Sequence, residues 1–278
     1  MFAAARHRRW VESGLCALLV GVYLFPVYWM VATSLKAQRE IFAIPPKLLP
    51  WPPYFGSYET AVLGNADVAR GVFNSTVIAI GTTIVTLLLA APAAYGLARL
   101  RLRFTVAIGF VLLVSQMLPA INLALPLFVL FSRARLVDSF QALIVANATV
   151  TVPFAIIILR PFFLTVPGEV IDASRVDGSS RFGAFWRVAL PLAGPGLITV
   201  AALTFLTAWG EFVFGLTLAT SDEMQPITVV LSRFITQFGT RWNDLMAVST
   251  VVALPIILFF IFLQRFIVGG LTAGATKE

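Results

Sequence analysis

Cysteine, histidine and charge are scarce in this chain of 278 residues. It holds one cysteine, Cys16, and one histidine, His7, and only 12% of its residues are Asp, Glu, Lys or Arg. A lone cysteine excludes an intrachain disulfide, a redox pair and a Cys-rich metal site, and a lone histidine excludes a His-cluster metal centre. The formal net charge is +7, but no basic run is interleaved with solvent-facing aromatics, so a nucleic-acid interface is excluded as well. No G-x4-G-K-[ST] loop is present to cradle phosphates. The tail "GGLTAGATK" has neither that spacing nor a preceding buried strand, so the chain is not itself an ATPase or another enzyme of that kind.

What is abundant is apolar surface. Hydrophobic residues make up 59% of the sequence and the mean hydropathy is +0.91, far from the balance of a water-soluble domain. About 20 apolar residues are needed to cross roughly 30 Å of hydrocarbon. Six segments qualify, near Ser13–Leu35, Val72–Leu97, Phe104–Phe131, Phe140–Leu164, Gly194–Ala219 and Leu245–Val268. "LPAINLALP" in the third contains Pro119 and Pro126, each lacking a backbone donor, and is expected to bend or break. The expected fold class is an all-α integral membrane protein of six transmembrane helices, with residues 1–278 forming one transmembrane domain.

Arg6, Arg8 and Arg9 before the first apolar run resemble the head of a signal peptide. The run is long and no clear small-x-small site follows, so it is expected to be retained as a helix. With the N-terminus inside, 12 Lys and Arg residues fall on the cytoplasmic side and 8 outside, which accounts for all 20. The short loop "ARLRLR" after the second segment is the kind that the positive-inside rule weights most. Both termini are therefore expected in the cytoplasm.

This orientation places "VIDASRVDGSSRFGAFWRVALPLAGPG", residues 170–196, in the cytosol between the fourth and fifth spans. Val170, Ile171, Ala173 and Val176 form an apolar stripe at helical spacing, with Glu169 and Asp172 in the first turn, where the helix dipole favours acids. Gly178 is placed to stop this helix in a left-handed cap. A second short helix with Phe182, Phe185, Trp186 and Val188 is expected to end at Pro191. Two readings are open: a helix lying on lipid, which the aromatics suit, and a knob for a cytosolic partner, with Asp172, Arg175, Asp177 and Arg181 as a polar rim.

The pattern Asp172-Ala173-Ser174, three residues, Gly178, nine residues, then Val188-x-Leu190-Pro191 resembles the EAA loop of binding-protein-dependent ABC importer permeases, E-A-A-x3-G-x9-I-x-L-P. Asp172 stands where that family usually has Glu, Ser174 where it has Ala and Val188 where it has Ile. "LQRFIVGGLTAGATKE", from Leu263, is similar to the tail of the maltose-type second permease subunit. "AWGEFVFGLTLATSDEMQPITVVLSRF", from Ala208, is similar to the fifth helix and following external loop of carbohydrate permeases, with Gly210 in place of the common Asn.

The resemblance implies the type I ABC importer permease fold and the location of a bacterial or archaeal plasma membrane. It implies that residues 167–191 form a cytoplasmic coupling loop in which Glu169, Asp172, Ala173, Ser174, Asp177, Gly178, Arg181, Leu190 and Pro191 meet a cytosolic ATPase. The tail, 264–278, would reach the ATPase interface through Gly270, Leu271, Thr272 and Gly274; a frayed terminus is the other reading. Implied partners are a second homologous permease, two ATPase subunits that bind ATP and Mg, and an extracytoplasmic solute-binding protein. The chain itself would bind no cofactor, and its substrate would be a carbohydrate or a related derivative. An importer permease for amino acids, peptides or phosphate compounds is the alternative; a membrane-embedded enzyme and a secondary transporter have less support in the sequence.

Polar residues at membrane depth mark a candidate path, because hydrocarbon leaves them unpartnered. Gln116, Asn122 and Asn147 stand out, with Thr149 and Thr151 beside them; interhelical hydrogen bonding competes with solute contact at each. Glu211 is read either as structural or as contacting substrate, and Trp209 either as a sugar-stacking face or as an interfacial anchor. Asn74 and Ser75 are read first as caps. Outside, residues 36–71 are Pro-rich and aromatic. The resemblance implies that loop 220–244, with Trp242 and Asn243, reaches the binding protein; simple surface packing is the competing reading.

Overall fold

The computed structural model describes residues 2–100, 103–236 and 239–273, with side chains described for 12–100, 103–235 and 239–261. Among these, four helices are long and apolar enough to cross a membrane, or up to six if two bent pairs each count as one span. Helix α1 runs over Phe2–Ser34, α3 over Ala66–Arg99 and α6 over Phe140–Thr165; the short α2, Gln38–Ile41, lies between the first two.

Where the sequence predicts a third span, the chain forms α4, Thr105–Ser115, and α5, Ala120–Arg133, bent by 95°. Pro119 explains the break: it caps α5 in an extended conformation, φ −61° and ψ 136°, and brings no donor to bond the turn before it. Pro126 sits inside α5 without ending it.

The fifth expected span, Gly194–Ala219, is also not one helix. Helix α10, Gly194–Trp209, has 16 residues, about 24 Å, and stops short of a full crossing. After Gly210 to Phe212 the chain re-forms as α11, Val213–Leu218. The short second helix of the 170–196 segment does not end at Pro191 either. Helix α8, Arg181–Ala184, runs through a π-helical turn, Phe185–Ala189, into α9, Leu190–Leu192. The wider turn precedes the proline, and the bend comes after it, 76° between the 181–192 helix and α10. The last helix, here α13, spans Trp242–Ala273.

By its internal packing the chain divides into two compact units: residues up to Val68 with Leu231–Leu254, and Ala69–Val230 with the chain from Pro255. In the first unit, residues 13–28 of α1 are exposed and only its last turn is buried, at Ala32, Thr33 and Ser34. The Ser34 hydroxyl pairs with that of Tyr58 at 2.7 Å, and Lys36 donates to the Lys47 carbonyl at 2.6 Å while lying 4.3 Å from the Trp29 ring. Burial holds the Lys36 ammonium below the usual lysine range, against the opposing pull of Glu40.

The core of the second unit is built on small residues. Ala90, Ala91 and Ala94 of α3 lie against Ala155, Leu159 and Phe163 of α6, the kind of surface that lets helix backbones approach closely in a membrane. Gly196 of α10 serves the same end, since a Cβ there would overlap the ring of Phe162. A second cluster joins Ile78 of α3, Phe131 of α5, Leu143 of α6, and Phe214 and Leu218 of α11.

Candidate functional site

The segment 167–191 is positioned from both ends. Pro167 lies in extended conformation at the start of α7, Gly168–Val176, with Glu169 in its first turn. At the other end Gly178 has φ +90°, the Gly178 N–H donates to the Arg175 carbonyl at 3.1 Å and the Ser179 N–H to the Ser174 carbonyl at 3.0 Å. These two bonds are the Schellman pattern, so the expected left-handed stop is present. Ser180 then caps α8 by accepting the Gly183 N–H at 3.0 Å.

The apolar stripe does not fold inward as a whole. Of its four residues only Ile171 is buried; Val170 is 44% exposed and Val176 87%. Glu169, Asp172, Ala173, Arg175, Asp177 and Arg181 are exposed too, while Ser174 is half-buried and donates to the Ile171 carbonyl. A nine-residue helix cannot place 170, 171, 173 and 176 all on one narrow face, and the spans cover only the side that carries Ile171. The loop is instead fixed by aromatics: Phe185, Tyr95 of α3 and Phe163 of α6 lie with ring centroids 5.0 to 6.2 Å apart. Leu190 is half-buried and packs against this core, and Pro191 is exposed.

Of the candidate path residues, Gln116 lies at the α4–α5 break. Its side-chain amide donates to the Val150 carbonyl at 3.2 Å, and it lines a cavity of about 210 Å³ with Thr151, Phe154 and Thr207. Asn147 is one turn away on α6 but buried, donating to the Leu143 carbonyl of its own helix. Thr151 pairs with Thr86 of α3 at 2.7 Å, whereas Thr149 turns back to the Ala146 carbonyl. Asn122 is exposed on α5 and is not brought to this cavity. The sequence reading missed Thr86 and Thr207; hydroxyls recurring inside apolar runs, such as Thr82 and Thr86 at i and i+4, were the available signal.

Glu211 starts α11. Its carboxylate accepts the Phe214 N–H at 2.8 Å and the Gly215 N–H at 3.1 Å, while its carbonyl accepts the Thr228 hydroxyl at 2.6 Å. Trp209 is 2% exposed and stacks on Phe205, so within this chain it is neither an interfacial anchor nor an open stacking face. Asn74 and Ser75 are not caps, since α3 begins at Ala66. They lie inside the helix and brace the loop after α11: the Asn74 amide donates to the Glu223 and Gln225 carbonyls, and Ser75 accepts the Ile227 N–H.

The segment 220–244, expected outside, contains α12, Ile227–Ser232, and an antiparallel pair, β1, Ile235–Thr236, and β2, Gly239–Thr240. The side chain of Trp242, the first residue of α13, is 39% exposed, but Asn243 is buried and donates to the Ser57 hydroxyl at 2.8 Å. In the tail, Gly270, Leu271 and Thr272 continue α13 in backbone; Gly274 lies outside the described residues.

Among the described residues, four helices of membrane-spanning length, two further bent pairs and a capped, exposed helix after α6 mark a multi-pass membrane protein. Residues 86–272 match the family of binding-protein-dependent transport system inner membrane components, and the chain belongs to that family. It is 35% identical over 273 residues to the diacetylchitobiose uptake system permease protein DasC of Streptomyces coelicolor, covering 97% of each chain. It is 35% identical over 263 residues to the trehalose transport system permease protein SugB of Mycobacterium tuberculosis, covering 94% of each. The fold matches that of a bacterial ABC transporter involved in the import of the acidic polysaccharide alginate, with a TM-score of 0.79 at 19% identity over 94% of this chain and 97% of that one. This is the type I importer permease fold that the EAA-like pattern implied.

Proposed function

We propose that this chain is a permease subunit of an ATP-driven importer for a carbohydrate or a sugar derivative, and that α7 is the element through which a cytosolic ATPase drives it. The observation that carries the reading is α7 itself: a short helix, stopped at Gly178, that leaves Val170, Val176 and a mixed-charge rim uncovered outside the spans. Such a surface, apolar at the centre and charged at the edge, suits a protein partner. The sugar class follows from relatives named for diacetylchitobiose and trehalose uptake.

In this reading ATP and Mg belong to two ATPase subunits, and the tail around Gly270, Leu271, Thr272 and Gly274 meets them. Both termini lie in the cytoplasm of a bacterial or archaeal cell. A second homologous permease completes the path beside Gln116 and Thr151, and a solute-binding protein docks outside, where Trp242 is the accessible contact. Asn243, tied to Ser57, acts there by positioning.

The test is a pull-down of tagged chain from native membranes with mass spectrometry, comparing wild type with Gly178→Asp and Asp172→Lys. Wild type is expected to bring a P-loop ATPase, a second permease and a binding protein whose sugar can then be identified. The two variants are expected to lose the ATPase. A wild-type chain that never brings an ATPase, under conditions that keep known complexes whole, overturns the reading.

A further inference from the structure

Two depressions lie along one face of α3. Leu88, Pro92, Tyr95 and Arg99 follow at steps of four, three and four residues, the spacing that keeps side chains on one side of a helix. At the Arg99 end, a cleft of about 440 Å³ is lined by Tyr95, Arg99, Leu100, Asp172, Arg175 and Arg181 among others. Further back, Leu88 and Pro92 form, with Phe185, Trp186, Leu190 and Leu197, a groove of about 200 Å³ without a charged residue in its lining. From Arg99 to Leu88 the helix rises about 16 Å.

The cleft carries three guanidinium groups and one carboxylate. Arg99 Nε and Nη2 are enclosed yet have no hydrogen-bond partner among the described residues. The cleft's case for an anion rests on its three arginines together, since a guanidinium is always charged and its donors match the oxygens of a phosphate. Three guanidinium groups against one carboxylate make the cleft lining net positive, which suits an anion. A free anion would fill it and leave the apolar groove empty, whereas a molecule with a phosphate at one end and a hydrocarbon chain at the other fills both.

We propose that this face of α3 holds one anionic phospholipid of the membrane leaflet on the α7 side. Its phosphate lies among Arg99, Arg175 and Arg181, and an acyl chain lies in the groove beside Leu88 and Trp186. Basic pockets between membrane helices recognise anionic head groups in this way. Because Ile171, Asp172 and Arg175 of α7 form one wall of the cleft, an occupied site steadies the helix proposed to meet the ATPase. The proposal rests on α7 lying at the membrane surface, as in the function proposed above, and does not require the ATPase itself.

Native mass spectrometry of the full chain in mild detergent, titrated with phosphatidylglycerol, zwitterionic phosphatidylethanolamine or inorganic phosphate, tests it. Phosphatidylglycerol is expected to be retained in preference to phosphatidylethanolamine. Arg175→Gln and Arg181→Gln, both at exposed positions where folding is not at stake, are each expected to weaken its retention roughly five-fold. Leu88→Trp, which fills the groove, is expected to weaken phosphatidylglycerol but not phosphate. Equal retention of the two lipids, or retention unchanged in the double arginine variant, overturns the proposal. So does phosphate displacing phosphatidylglycerol while Leu88→Trp has no effect, which assigns the cleft to a free anion. Lipid retention is read on the chain alone, so its failure is a separate result from loss of ATPase in the pull-down.

Discussion

The ring of Tyr95, on α3, lies 5.0 Å from that of Phe185, in the π-helical turn after α8. Phe163 of α6 completes the group, so a displacement of the 168–192 segment must move two membrane helices with it. Phe185→Ala removes a side chain that is 4% exposed, at a cost of about 3–5 kcal/mol where the site does not collapse. The expected result is a chain that still brings the ATPase in a pull-down but whose sugar uptake falls steeply, with Phe185→Leu intermediate. Uptake in proportion to ATPase recovery in both variants counts against transmission through this ring.

Gly178 and Gly194 separate backbone strain from space. Neither position has an atom near enough to hinder an added Cβ, but only Gly178 has a positive φ, +90°. Gly178→Ala is therefore expected to cost about 1–2 kcal/mol through the left-handed backbone alone. Gly194→Ala is expected to be neutral or slightly stabilising. Hydrogen exchange over residues 168–179 should rise in the first variant only, together with a drop in recovered ATPase. Matching exchange in the two variants would show that α7 does not depend on its Schellman stop.

Glu211 holds the first turn of α11 through two backbone N–H groups, 2.8 and 3.1 Å from its carboxylate oxygens. Hydrogen bonds to a charged group contribute about 1.5–3 kcal/mol. Glu211→Gln keeps one acceptor and turns an amide donor toward the other N–H, so it is expected to lower thermal stability by about that amount. Uptake should then fall in maximal rate with little change in half-saturating sugar concentration. A variant of unchanged stability and much weaker apparent affinity would move Glu211 from a helix brace to a substrate contact.

What the sequence carried and what it hid differ by range of interaction. The apolar runs, the stop at Gly178 and the break near Pro119 are local properties of composition, backbone conformation and a missing donor, and each stands where the pattern placed it. The break at Gly210 to Phe212 could not be read in this way. It depends on the Glu211 carboxylate turning back to the N–H groups that follow, and a charged residue near the end of an apolar run looks the same whether it caps, pairs or binds. Asn74 was misread for a related reason: its partners, the Glu223 and Gln225 carbonyls, are some 150 positions away in sequence. Arg99 counted only as topology, although the cleft it lines exists only once α3, α7 and α8 are packed.

Asp138 offers a handle on pH. It has φ +64°, its N–H donates to the Leu218 carbonyl and its carboxylate accepts the Ser221 N–H at 2.9 Å, so it clasps the turn before α6 to the turn after α11. Burial works against the ionised carboxyl, but the backbone N–H and hydroxyl of Ser221, with those of Thr220, outweigh it and hold the pKa below the usual aspartate value. A carboxyl depressed in the folded state gives stability that is fully present above its unfolded value, about 3.9, and is lost as pH falls through the lower folded value. Asp138→Asn tolerates the same positive φ but cannot ionise. Thermal denaturation of both chains in detergent should show wild type the more stable at neutral pH, with the gap closing only in acid below about pH 4. A gap of the same size across the whole range would mean that the shape of the side chain, and not its charge, holds the two turns together.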